Sequence, residues 1–84
     1  RDVTIEQLDS MSIVASVKCI DIHERLYKEM DAISRMTVWE DDDILSEIAT
    51  RAHKIEAMAM ELIEARKDFE TVREKIVQMK KAGV

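Results

Sequence analysis

The second half of the sequence carries a heptad repeat of apolar residues that runs for about five heptads. With the positions lettered a to g, the a and d columns hold Ile44, Ile48, Ile55, Met58, Leu62, Ala65, Phe69, Val72, Ile76 and Met79, and Arg51 at d is the single polar exception. A repeat of this length predicts an α-helix that buries one stripe against a neighbouring helix. We therefore expect a helix over residues 43–82.

The first half carries a second heptad repeat with a wider apolar surface. Its a and d columns hold Ile5, Leu8, Ser12, Ala15, Cys19, Ile22, Leu26, Glu29, Ile33 and Met36, where only Ser12 and Glu29 are polar. The adjacent b and e columns add Ile13, Ile20, Tyr27 and Met30. Because this arc covers nearly half of the helix circumference, it needs at least two neighbours, which is typical of a helical bundle.

The start of this first helix is marked by a capping box. Thr4 is an N-cap residue, and Gln7 stands three positions later, where its side chain reaches back to the cap. Val3 and Leu8 have the spacing of a hydrophobic staple across that cap. We expect the helix to cover residues 5–36.

Between the two repeats, the stretch "RMTVWEDDDIL" either continues one long helix or reverses the chain. The two apolar seams are out of phase by one residue, which disfavours one straight helix. Thr37 and Asp41 to Asp43 are poor inside a helix, but they favour its start, where carboxylates meet free N–H groups. The sequence thus predicts a turn over residues 37–42, with Trp39 covering the open end of the bundle. An unbroken helix in a parallel coiled coil is the alternative.

Length and composition favour an all-α chain that depends on association. A chain of 84 residues with one Gly and no Pro suits a single helical domain over residues 1–84. A core of this size gives limited stability without a partner. We expect a two-helix antiparallel hairpin that self-associates into a helical bundle or coiled coil. Because the second helix is longer, Ile76 and Met79 are expected to project as a parallel pair or a docking surface.

Charge and cysteine content limit the binding partners and the cellular compartment that we expect. A formal net charge of -5 disfavours binding to nucleic acid or to an anionic membrane. The single Cys19 excludes an intrachain disulfide and suggests a reducing compartment. The apolar runs are too short to span a bilayer. We expect an intracellular protein, cytoplasmic or nuclear, and the start at Arg1 suggests a segment of a larger protein.

Residues that could support chemistry are sparse. Cys19 and His23 share a helix face as half of a possible zinc site, but His53 is poorly placed to complete it. The acidic run after Trp39 lacks the spacing of a calcium loop. A helical enzyme that binds a dicarboxylate would need several basic residues in its core, and only Arg51 holds a core position. We expect no metal, no cofactor and no enzymatic activity.

The sequence therefore indicates an oligomerisation or scaffolding module, with a homodimer favoured. The alternative is a subunit of a hetero-oligomeric helical complex, whose apolar face is completed by another helical protein. Arg51 is expected to fix the register or the choice of partner, or to extend its charge to the bundle edge. The expected oligomer interface comprises Leu26, Met30, Ile33, Ile48, Ile55, Met58, Leu62, Phe69, Val72, Ile76 and Met79.

Overall fold

Two long α-helices form the whole of the described structure. The computed structural model describes residues 3–36 and 41–83, and these contain α1 (Ile5–Ser34) and α2 (Asp42–Lys81) without any strand. The helices pack side by side in an antiparallel hairpin measuring 64 × 17 × 17 Å. The prediction of an all-α helical hairpin is confirmed, and the single continuous helix is excluded.

The first helix begins at the predicted capping box. The Gln7 backbone N–H donates to Thr4 Oγ1 at 3.1 Å, and the Thr4 N–H donates to Gln7 Oε1 at 2.9 Å. At the other end, the Arg35 N–H donates to the Asp31 carbonyl, and Met36 donates to Ile33 in a tighter turn. The helix thus ends at Ser34, two residues before the predicted position.

The second helix has a distinct cap at each end. Asp41 is its N-cap and accepts a hydrogen bond from the Asp43 N–H at 2.9 Å, so the acidic run begins a helix as predicted. At the C-terminus, Gly83 has a φ of 77°, a conformation that glycine adopts readily. The predicted roles of Thr37 and Trp39 concern residues outside the described ranges.

The core is the seam between the two heptad repeats. The described a and d side chains of both helices are at least partly buried, and Leu8, Ile22, Ala65 and Val72 are the most buried among them. The polar Ser12 and the free Cys19 are half-buried in the same seam. Each helix therefore uses its a/d stripe to cover the other, and the hairpin closes on itself.

The expected overhang at the C-terminus of α2 is wrong. A shallow groove is lined by Ile5 and Leu8 from α1 and by Lys75 and Met79 from α2, so the two free ends lie level. With equal rise per residue in both helices, Ser34 is level with about residue 50. The extra length of α2 thus extends past α1 at the turn end. Helix lengths alone could not reveal at which end of the hairpin this offset lies.

Candidate interaction surface

The flanking heptad columns define two sides of the hairpin. Arg25 and Glu61, both at g positions, approach to 3.9 Å between Nη2 and Oε2 and mark one side. In an antiparallel pair the two g columns lie together, so the two e columns lie together on the opposite side. The b columns are next to the e columns on each helix. We call this second side the e/b face.

The e/b face exposes large apolar side chains from both helices. Between them on α2 are the small residues Ala49, Ala52 and Ala59, which leave room for close approach. Val17, at a neighbouring f position, is also exposed and widens the surface. The apolar patch of this face comprises Ile13 (65% exposed), Ile20 (55%), Tyr27 (56%), Met30 (46%), Leu45 (48%), Ile63 (48%) and Val77 (48%).

The opposite side has a mixed character. Met11 and Val14 are exposed there, in a groove of about 570 Å³ that also includes Lys18, Asp68 and Lys75. Charged side chains continue along this side as far as Arg25 and Glu61. The e/b face therefore carries the larger set of exposed apolar side chains, interrupted by Glu56 at b, whereas charged residues outnumber the apolar groups on the other side.

Towards the free ends of the helices, the e/b face carries charges of both signs. The e column of α2 continues from Ala59 with the exposed Arg66, Arg73 and Lys80, and three exposed carboxylates share this end of the face: Glu70 of α2 and Glu6 and Asp9 of α1. Arg73 lies over the Phe69 ring, with its guanidinium carbon 5.7 Å from the ring centroid. Within residues 3–36 and 41–83, neither Arg66 nor Arg73 forms an ion pair with a carboxylate. These charges are available to a partner.

The two most polar seam positions pair with each other. Arg51 Nη1 donates to Glu29 Oε2 at 2.8 Å, and the side chains are only 29% and 21% exposed. Arg51 also donates to Glu47 Oε1 at 3.2 Å. The hydrogen bond to Glu29, followed by that to Glu47, raises the pKa of the Arg51 guanidinium above its usual value. This pair lies near the turn, away from the centre of the apolar patch.

The structure places the predicted interface residues mostly inside the hairpin. All of them except Met30 lie on a or d columns and line the seam between α1 and α2. Their contact with a second chain stays a prediction. The e/b face is instead formed by residues that the sequence marked only as part of a wide apolar arc or as apolar flanks. Val17 was missed, although Ile13, Val17 and Ile20 already have the i, i+4, i+7 spacing of a helix face.

The potential metal ligands remain apart. Cys19 is half-buried, while His23 is exposed and packs edge-on against Tyr27, with ring centroids 4.5 Å apart and planes at 71°. His53 is exposed on α2. In the part of the chain that the structure describes, no three His, Cys, Asp or Glu side chains gather closely enough to hold a metal ion.

Neither described helix combines the length and apolar character needed to cross a membrane. The sequence matches no known protein family, and no similar chain is found among curated proteins or solved structures. A function for this chain must therefore be inferred from its own residues.

Proposed function

We propose that this chain is an oligomerisation module in which two hairpins pack through their e/b faces to form a four-helix bundle. As part of a larger protein, such a module would join or space other domains. The observation that supports this proposal is the apolar patch, because its large side chains stay 46–65% exposed in the single hairpin.

The small core of the hairpin favours association with a second chain. Two helices bury only one stripe each, and a chain of this length gains limited stability from such a core. Covering exposed apolar surface contributes roughly 25 cal/mol per Å² removed from water. A second layer of helices over Ile20 and Ile63 would add this contribution. It would also cover the part of the apolar arc of α1 that α2 leaves exposed.

The dimensions of the hairpin are compatible with a stable dimer. A standard protein interface buries about 800 Å² on each partner. One side of a hairpin 64 Å long and 17 Å wide offers a surface of that order. The alanines of α2 at the e/b face permit helices to approach closely, and the bulky residues of α1 can pack over them.

Sedimentation equilibrium of the isolated chain tests the proposal. The wild-type chain should form a dimer, whereas Ile20→Glu should shift it to monomer, because the new carboxylate would be buried at the centre of the patch. Val14→Glu is the matched control, since Val14 is 69% exposed on the opposite side. The control should remain dimeric.

Circular dichroism of the same samples separates association from folding. Ile20 is exposed in the hairpin, so Ile20→Glu should keep a helical signal at concentrations where the wild-type dimer also dissociates. A wild-type chain that sediments as a stable, folded monomer at every concentration would contradict self-association. The apolar patch would then be the binding surface for a different helical protein.

A further inference from the structure

We infer that α1, rather than α2, forms the centre of the interface between two copies, through Ile13, Val17 and Ile20. These residues belong to residues 10–20, which we call the apolar segment of α1. This inference rests on the proposed self-association and adds which part of the hairpin the second copy covers. It is supported by the difference in exposed side chains between the two helices, and it applies to either relative orientation of the hairpins.

The apolar segment of α1 contains almost no charge. Lys18 is its single charged residue. A helix that is apolar on all sides is typical of a buried helix, yet α2 covers only one side of this segment. The large apolar side chains that α2 leaves 49–69% exposed are Met11, Ile13, Val14, Val17 and Ile20.

The part of α2 beside this segment has the opposite composition. Since Ile5 lies beside Met79, the residue numbers of level positions on the two helices sum to about 84, and residues 64–74 are level with the apolar segment. A helix with such a charged outer side is typically in contact with water there. Seven of these eleven residues are charged and exposed, namely Glu64, Arg66, Lys67, Asp68, Glu70, Arg73 and Glu74.

Two-fold symmetry relates this difference to the choice of neighbour. In a two-fold dimer, both copies use the same surface. If the apolar segment is at its centre, apolar side chains of one copy cover apolar side chains of the other. If α2 were at the centre at this level, the contact would remove charged groups such as Arg66 and Glu70 from water, which costs free energy. The composition therefore favours α1 of the second copy as the neighbour of α1.

Ile13, Val17 and Ile20 form a stripe that continues the e/b face around α1. Their i, i+4, i+7 spacing places them one above another on the helix. Ile13 and Ile20 are at b, whereas Val17 is at f, on the side of α1 farthest from α2. Val14, at c, lines the groove on the opposite side and lies outside this stripe. With the stripe covered, α1 would lie between its own α2 and the second copy.

Sedimentation equilibrium of two matched variants tests this arrangement. Val17 and Met60 are both at f positions, one on each helix, and are 59% and 60% exposed. Val17→Glu should raise the dimer dissociation constant at least about a hundredfold, because symmetry buries the new carboxylate twice. Met60→Glu adds the same charge to α2, on the side of Arg25 and Glu61. It should change the constant by less than about threefold, because salt largely screens an exposed charge.

Circular dichroism of both variants checks that the hairpin still folds. Both positions are exposed and glutamate has a high helix propensity, so the helical signal should persist. Equal weakening by the two variants would overturn the central place of α1, and so would a dimer that tolerates Val17→Glu although Ile20→Glu dissociates it. A wild-type chain that is monomeric at every concentration would instead contradict self-association, and this inference with it.

Discussion

Glu29 and Arg51, the charged residues at d positions of the two seams, are joined across the hairpin by a 2.8 Å hydrogen bond. Each charge interrupts the apolar pattern of its own heptad repeat. Together, the two side chains provide each other with a hydrogen-bond partner of opposite charge among apolar neighbours. Sliding one helix by a heptad would set each charge against an apolar side chain. The pair therefore favours one register of the hairpin over its alternatives.

We expect the two charges to depend on each other. Arg51→Leu should lower the thermal midpoint, because it leaves the Glu29 carboxylate half-buried without its partner. Glu29→Leu should lower it less, since Arg51 keeps Glu47. The double leucine variant should recover the midpoint or exceed it. Thermal circular dichroism of the three variants provides the measurement, and additive losses in the double variant would contradict the coupling.

The sequence predicted the helices and their seam because both follow from local rules. The heptad columns identified the side chains that the structure buries, including Ile22 and Val72, and the caps at Thr4 and Asp41 follow from side-chain chemistry. The pairing of Glu29 with Arg51 could not be derived, because it depends on the register of two helices joined by a turn of unknown length.

The interaction surface was harder to predict for a related reason. An apolar seam does not indicate whether its neighbour belongs to the same chain or to another. Because α2 packs on the seam of α1, Leu62 and Phe69 lie inside the hairpin. The flank at Ile13 and Ile20 is then the apolar surface that remains exposed. The position of Met79 was missed for a similar reason, because it depends on the offset of α2 at the turn.

The centre of the seam should be the most sensitive site for hairpin stability. Ile22 is 1% exposed, and Ile22→Ala should lower the free energy of unfolding by about 2–5 kcal/mol through lost packing and a residual cavity. Val14→Ala should change it by less than about 0.5 kcal/mol, because that side chain is exposed. Urea unfolding of both variants, followed by circular dichroism, makes the comparison. Equal losses would contradict the seam as the source of stability.

The capping box of α1 should contribute measurably to stability. Thr4→Ala removes the oxygen that accepts from the Gln7 N–H and should cost about 1 kcal/mol. Thr50→Ala is the control, since its hydroxyl bonds the Ser46 carbonyl within the helix and caps nothing. Because alanine has the higher helix propensity, the control should be neutral or slightly stabilising. A loss in Thr50→Ala as large as that in Thr4→Ala would argue against a specific capping effect.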